Sequence, residues 1–284
     1  MTTSVAQSLA DKLNELSDPK PWHVGWYFKD LTSGASANRN GDVVVPSAST
    51  RKVAILMTAL KQVHEGTLRL DQPLEMLAKY QNNTSGTFQH LAPGFTITLK
   101  DALTMMIIVS DNTCTGTVSD IVGLDNVQAL CNSIGMKGTF HRLGIPQETT
   151  DRSPPVETVN ATTPNDQGLL LELIVRGMTD AAAAAQLGST PELCQVAVEI
   201  MSWQKLRYRI PFLLPEGTKV ASKTGSVTGQ YHDVGIVFDG EKPLYILCAY
   251  NSGVPAEFEG MNGNAAASMM MARMSRAIWD GLKG

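Results

Sequence analysis

Apolar residues recur at intervals of three and four near the amino terminus, at Val5, Leu9, Leu13 and Leu16, with polar and charged residues between them. That spacing predicts an amphipathic surface helix. His23-Val24-Gly25-Trp26-Tyr27-Phe28 follows as a short aromatic and β-branched run, closed by Thr32-Ser33-Gly34, and reads as a strand. Strand character returns near the other end. Val234–Phe238 and Leu244–Leu247 flank Asp239-Gly240, the pattern of an antiparallel hairpin. A helix over roughly Asn264 to Leu282 completes the chain.

Between these ends the pattern is helical. Val53, Leu56, Met57, Leu60 and Val63 share one face and stop at Gly66. Thr98 with Asp101 resembles a capping box ahead of the apolar run Leu103–Val109. Thr163-Pro164 and Thr190-Pro191 each put a hydroxyl at the N-cap and proline at the first helical position. Ala181–Ala185 is the low-complexity stretch, and no internal repeat is seen. The expected fold class is α/β (α+β). An antiparallel sheet forms from both termini and is flanked by helices, with an inserted all-helical domain. Residues 1–48 and 205–284 are expected to build the sheet domain and residues 49–204 the helical one, with a site between them.

Composition narrows the function classes. The 284 residues are 43% hydrophobic and 18% charged, with a net charge of −4, which excludes a disordered chain and suits one large or two interleaved domains. No Lys/Arg run offers a phosphate-neutralising patch, so neither nucleic acid nor an anionic membrane is an expected partner. No run of 18 apolar residues exists. Met1 to Lys20 lacks a basic n-region and an unbroken apolar h-region, so the expected location is cytoplasmic, or periplasmic or secreted if this is a mature form. Cys114, Cys131, Cys194 and Cys248 are scattered, as buried apolar cysteines are. Met269, Met270, Met271 and Met274 read as core packing, and oligomeric state is open.

Candidate chemistry reduces to serine and lysine. There is no nucleotide-binding glycine loop, no GxSxG elbow and no paired histidines for zinc, so no cofactor or metal is expected. Ser-x-x-Lys occurs at Ser17, Ser49 and Ser202. The first contains Pro19 and reads as a turn; the last fits the end of a solvated helix. Ser49 to Lys52 instead opens the Val53 helix, where i and i+3 share a face and free backbone N–H groups can meet an oxyanion.

Two further motifs select that copy: Ser110-Asp111-Asn112 after the Leu103 helix and Lys223-Thr224-Gly225 before the Val234 strand. In this order the three motifs resemble those of the class A β-lactamase-like serine hydrolases, within the β-lactamase and penicillin-binding protein superfamily. The likeness runs from the Trp26 strand to the last helix. It takes in Val45-Pro46-Ser47-Ala48 and Leu214-Pro215-Glu216-Gly217. It implies an acyl-enzyme on Ser49, with Lys52 as base if burial and the Lys223 charge lower its pKa. It implies that Ser110, oriented by Lys223, relays a proton to the leaving nitrogen, and that Asn112 holds the acyl-side amide. Thr224 and Ser226 beside Lys223 would bind a substrate carboxylate. The amides of Ser49 and Ser226 would form the oxyanion hole. Arg209 is a candidate second carboxylate anchor, with a surface ion pair as its alternative.

The resemblance places a deacylating carboxylate in the loop from Arg142 to Pro164. Counting back from Thr163-Pro164 makes Glu148 the candidate base; the pattern Glu157-Thr158-Val159-Asn160 offers Glu157 instead, neither has the family spacing, and the remaining alternative is that both are solvated loop acids. The substrate expected is a small amide bearing a carboxylate, by default a β-lactam. The alternatives are a cytoplasmic amidase acting on a non-β-lactam amide, and a penicillin-binding sensor or D,D-peptidase relative that deacylates slowly. Phe95, Gln230 and Tyr231 are expected to shape the acyl pocket.

Overall fold

The structure, a computed structural model, describes residues 2–81, 85–145 and 150–284. The chain opens with α1 (Thr2–Ser17), whose Leu9 and Leu13 are buried while Val5 stays exposed. The antiparallel strands β1 (His23–Asp30) and β2 (Ser36–Arg39) follow, then the short β3 (Val45–Pro46). A 3-10 turn over Ala48–Arg51 leads directly into α2 (Lys52–His64).

The central region holds β4 (Pro73–Glu75), β5 (Thr96–Thr98), α3 (Leu99–Ile108), α4 (Asn112–Val122) and α5 (Leu124–Ser133). After it come β6 (Ala161–Thr162), α6 (Pro164–Gly177), α7 (Ala181–Gln186) and α8 (Pro191–Ser202). Local chemistry fixes these helix starts. Thr98 and Asp101 form the reciprocal capping box; Thr163 accepts from the Asp166 amide and Thr190 from the Leu193 amide, each ahead of a proline. The region departs from the all-helical expectation in two short ladders. β4 pairs with β5, and β3 with β6, each too brief to show as apolar alternation.

The carboxy-terminal part supplies β7 (Val220–Val227), β8 (Gln230–Asp239), β9 (Lys242–Ser252) and α9 (Gly263–Lys283). The five long strands form one sheet in the order β2-β1-β9-β8-β7, every pair antiparallel. The sheet from both ends of the chain is therefore present, closed where β1 meets β9. Its two faces bury different cores. Ala221, Val234, Ile236, Cys248 and Tyr250 pack with the central helices, while Val220, Val237, Leu247 and Ala249 pack with Leu9, Leu13, Met270, Met271 and Met274. Period-two alternation along the strands sorts these residues, and each large apolar side chain buried contributes roughly 1.5–3 kcal/mol. All four cysteines are buried and free. Among the described residues, no helix is long and apolar enough to cross a membrane.

Candidate active site

Three elements converge at one end of the sheet. The first is the turn carrying Ser49. β3 pairs with β6 just ahead of it, and the Ser47 amide donates to Asn160 O at 2.8 Å. Ala48 then takes the left-handed conformation, φ 44°, a costly one for a residue with a Cβ. This turns the chain so that Ser49 is half-buried at the helix start and Lys52, one turn on, is 1% exposed.

The second element is the junction of α3 and α4. Ser110 is also left-handed, φ 58°, and Asp111 caps α4 by accepting from the Cys114 amide at 3.0 Å. The other carboxylate oxygen of Asp111 accepts from the amides of Thr87 (2.7 Å) and Phe88 (2.8 Å). Gly86 is required there, because a Cβ would lie 2.3 Å from the Asp111 Cα. With the middle residue pinned, its neighbours turn to Lys52. Lys52 Nζ donates to Ser110 O (2.8 Å), Asn112 Oδ1 (2.7 Å) and Ser110 Oγ (3.1 Å).

The third is β7, the edge strand, whose outer backbone groups have no strand partner. Gly225 lets it approach the turn: a Cβ would meet Thr50 Cγ2 at 3.1 Å, Ala48 Cβ at 3.2 Å and Ser47 O at 3.2 Å. Lys223 is fully buried and donates to Thr224 O at 2.8 Å; no hydrogen bond joins it to Ser110. Thr224 is buried and Ser226 exposed.

Arg209 is neither a surface ion pair nor free to grip a ligand. It is fully buried and donates to Ser268 Oγ, Gly225 O, His232 O, Ser226 Oγ (2.6 Å) and Asn264 Oδ1. Those bonds use the whole donor capacity of a guanidinium, so it acts on the site through Ser226 and β7.

Burial and neighbouring charge set the protonation. Burial, Lys223 and Arg51 together hold the Lys52 pKa well below the usual lysine range, against the opposing pull of Asp111 and Cys114. Burial brings Lys223 down to about 7, with Asp233 opposing and Arg209 assisting. Asp233, fully buried on β8, is pushed up to about 6 by burial despite Arg209 and Lys223. One of its oxygens accepts from the Ile210 amide at 3.1 Å; the other has no partner.

The loop from Arg142 to Pro164 is tied at its base by Asn160, which accepts from the amides of Arg142 (2.7 Å) and Leu143 (3.0 Å). Glu157 is exposed on it, and Glu148 lies outside the described residues. The loop crosses to the β7–β8 turn, where Gln230 donates to Arg152 O at 2.6 Å. Tyr231 stands beside Arg209, whereas Phe95 packs on Phe88. Sequence reasoning missed Arg51, Asp233 and Tyr250. Arg51 stands inside the Ser-x-x-Lys motif yet is 2% exposed with Nη1 unpartnered, and no local pattern announces that. Among the described residues no group of three His, Cys, Asp or Glu is placed to hold a metal.

Comparison with known proteins places the chain in a family. The family model described as "Beta-lactamase enzyme family" matches residues 8–282. "Beta-lactamase AER-1" of Aeromonas hydrophila is 26% identical over 245 residues, covering 84% of this chain and 76% of its own. A beta-lactamase from Sphaerobacter thermophilus DSM 20745 superposes with a TM-score of 0.83 at 24% identity, covering 97% of both chains. A variant of PBP-A, solved as an acyl-enzyme complex with penicillin G, gives a TM-score of 0.82 at 25% identity. It covers 98% of this chain and 97% of its own.

Proposed function

From a chain that belongs to the beta-lactamase enzyme family, we infer a serine hydrolase that opens the amide of a β-lactam through an acyl-enzyme on Ser49. The observation that carries this reading is the position of Lys52, wholly buried and within hydrogen-bonding distance of Ser110 and Asn112.

A neutral lysine has two N–H bonds and one lone pair. At Lys52 two carbonyl oxygens, Ser110 O and Asn112 Oδ1, stand ready for the N–H bonds. The lone pair is then left for a hydroxyl proton, as a general base requires. Ser49 Oγ gives up its proton along this path and attacks the lactam carbonyl, forming the ester as the C–N bond breaks. Ser110 Oγ returns the proton to the leaving nitrogen. The developing oxyanion is met by the amides of Ser49 and Ser226, each such donor worth roughly 3–4 kcal/mol.

The substrate carboxylate lies against the end of β7. Lys223 supplies positive charge, and Thr224 and Ser226 supply hydroxyls. Because Arg209 donates to Ser226 Oγ, the Ser226 proton is free to point at the anion. Asn112 has its oxygen engaged by Lys52, leaving its amide hydrogens for the acyl-side carbonyl.

A second reading shares the first half-reaction and stalls. It is favoured by Glu157, which is exposed on its loop. The protein would then be a penicillin-binding sensor or D,D-peptidase relative with a long-lived adduct. Turnover of a chromogenic β-lactam, measured beside mass spectrometry of the intact protein, separates the two. Steady hydrolysis that Ser49→Ala abolishes supports the first; a single burst with a persistent adduct supports the second. Neither turnover nor adduct refutes both.

A further inference from the structure

The Ser47–Thr50 turn is poorly held by its neighbours in sequence. β3 is two residues long, Ala48 is in a conformation that non-glycine residues avoid, and no side chain caps the 3-10 turn. A strained turn persists only where its surroundings over-determine it.

Part of that support comes from β9, about two hundred residues later in the chain. Tyr250 is fully buried, and its strand lies between β1 and β8 with ladders on both sides. The ring lies 4.6 Å from that of His232, at 33°. Its hydroxyl donates to Thr50 Oγ1 at 2.9 Å, and Thr50 Oγ1 donates in turn to Ser47 O at 2.7 Å. The direction is set: Thr50 spends its one proton on Ser47, so its lone pair receives Tyr250. Two hydrogen bonds in series polarise each other and strengthen together.

The same three residues, Ser47, Ala48 and Thr50, form the surface against which Gly225 packs. Whatever fixes the turn therefore fixes its distance from β7, and with it the relation between the Ser49 and Ser226 amides. We propose that Tyr250 is a positioning residue for the nucleophile, its hydroxyl anchoring the turn to the sheet through Thr50. The inference rests on Ser49 being the acylated residue.

The test is acylation by a fluorescent penicillin, followed over probe concentration to separate the maximal rate from the half-saturating concentration. Tyr250→Phe and Thr50→Val should each lower the maximal rate about tenfold, with half-saturation little changed. The double variant should be no slower than either single one, because both cut the same chain of bonds. Thr50→Ser keeps the hydroxyl and should restore the wild-type rate, which a loss of packing would not allow. An unaltered rate in folded Tyr250→Phe overturns the inference. Should that variant fail to fold, equal rates for Thr50→Val and Thr50→Ser overturn it. Absence of label in the wild-type protein, or label that survives Ser49→Ala, overturns the Ser49 reading and this inference with it.

Discussion

Arg209 Nη2 donates to Ser226 Oγ across 2.6 Å, from a guanidinium with no exposed surface. The serine thereby presents a hydroxyl of set orientation at the mouth of the site. Lysine has the charge but not the planar fork, and cannot reach Gly225 O, His232 O and Ser226 together. Arg209→Lys should raise KM for a carboxylate-bearing β-lactam about tenfold, with a smaller effect on kcat. The methyl ester of the same compound should lose nothing further. Equal losses for acid and ester would show that the arginine serves the fold alone.

The charge of Lys223 gives the site a basic limit. Burial brings its pKa to about 7, so on the proposed mechanism the free enzyme would lose the cation for the substrate carboxylate as pH rises through that value. Log kcat/KM, which reports the free enzyme, should bend downward there. Lys223→Arg stays protonated and should carry the plateau to higher pH. A profile that is flat through pH 8 in the wild type contradicts the assignment.

Gly225→Ala tests how closely β7 must approach the nucleophile. The new methyl would press on Thr50, Ala48 and the Ser47 carbonyl at 3.1–3.2 Å, pushing the strand outward. Displacement on this small scale should cost about tenfold in kcat/KM while the urea midpoint moves little. Steady-state kinetics beside urea titration will show whether activity falls without the fold.

Acid should weaken the protein before its surface carboxylates titrate. Burial holds His141 and His232 neutral, each with a pKa of about 3, whereas the unfolded chain takes up those protons near the ordinary histidine value of 6.5. Each group therefore contributes stability that is whole above 6.5 and declines by about 1.4 kcal/mol per pH unit as pH falls toward 3. Asp233, raised to about 6, acts in the opposite sense between 3.8 and 6 and offsets one of the two. Urea midpoints across pH 4–7 should fall toward acid, and less steeply in His141→Gln.

Asp111→Asn probes the support behind Ser110. Asparagine has one acceptor oxygen where Asp111 satisfies three amides, so at least one buried N–H would face an amide hydrogen. The expected loss is about 3 kcal/mol, visible as a lower urea midpoint.

How much of this was legible depended on whether cause and effect lay close in sequence. The Thr98 box and the Thr-Pro caps are read by residues three positions away, so their helices could be placed from the chain alone. Ser49, Lys52, Ser110 and Lys223 could be singled out because each stands in a short motif, and the structure brings Lys52 against Ser110. Arg209 was noticed, but its burial depends on β7, β8 and α9 closing round it, and no local pattern encodes that. Asp233 and Tyr250 were hidden inside strands whose apolar runs gave no reason to single them out. Their partners, Lys223 and Thr50, come from other elements.

The sheet order sets a timetable. A ribosome delivers Ser49 and Ser110 early, but β7 pairs with β8, β8 with β9, and β9 with β1 from the beginning of the chain. Until β9 and α9 emerge, α1 and β1 lack Leu247, Ala249, Met270 and Met271, which complete the core they share, and β8 lacks the strand that joins it to β1. Part of that core thus stays uncovered until the last strand and helix are made. That interval is where aggregation competes with folding and where a chaperone would hold it.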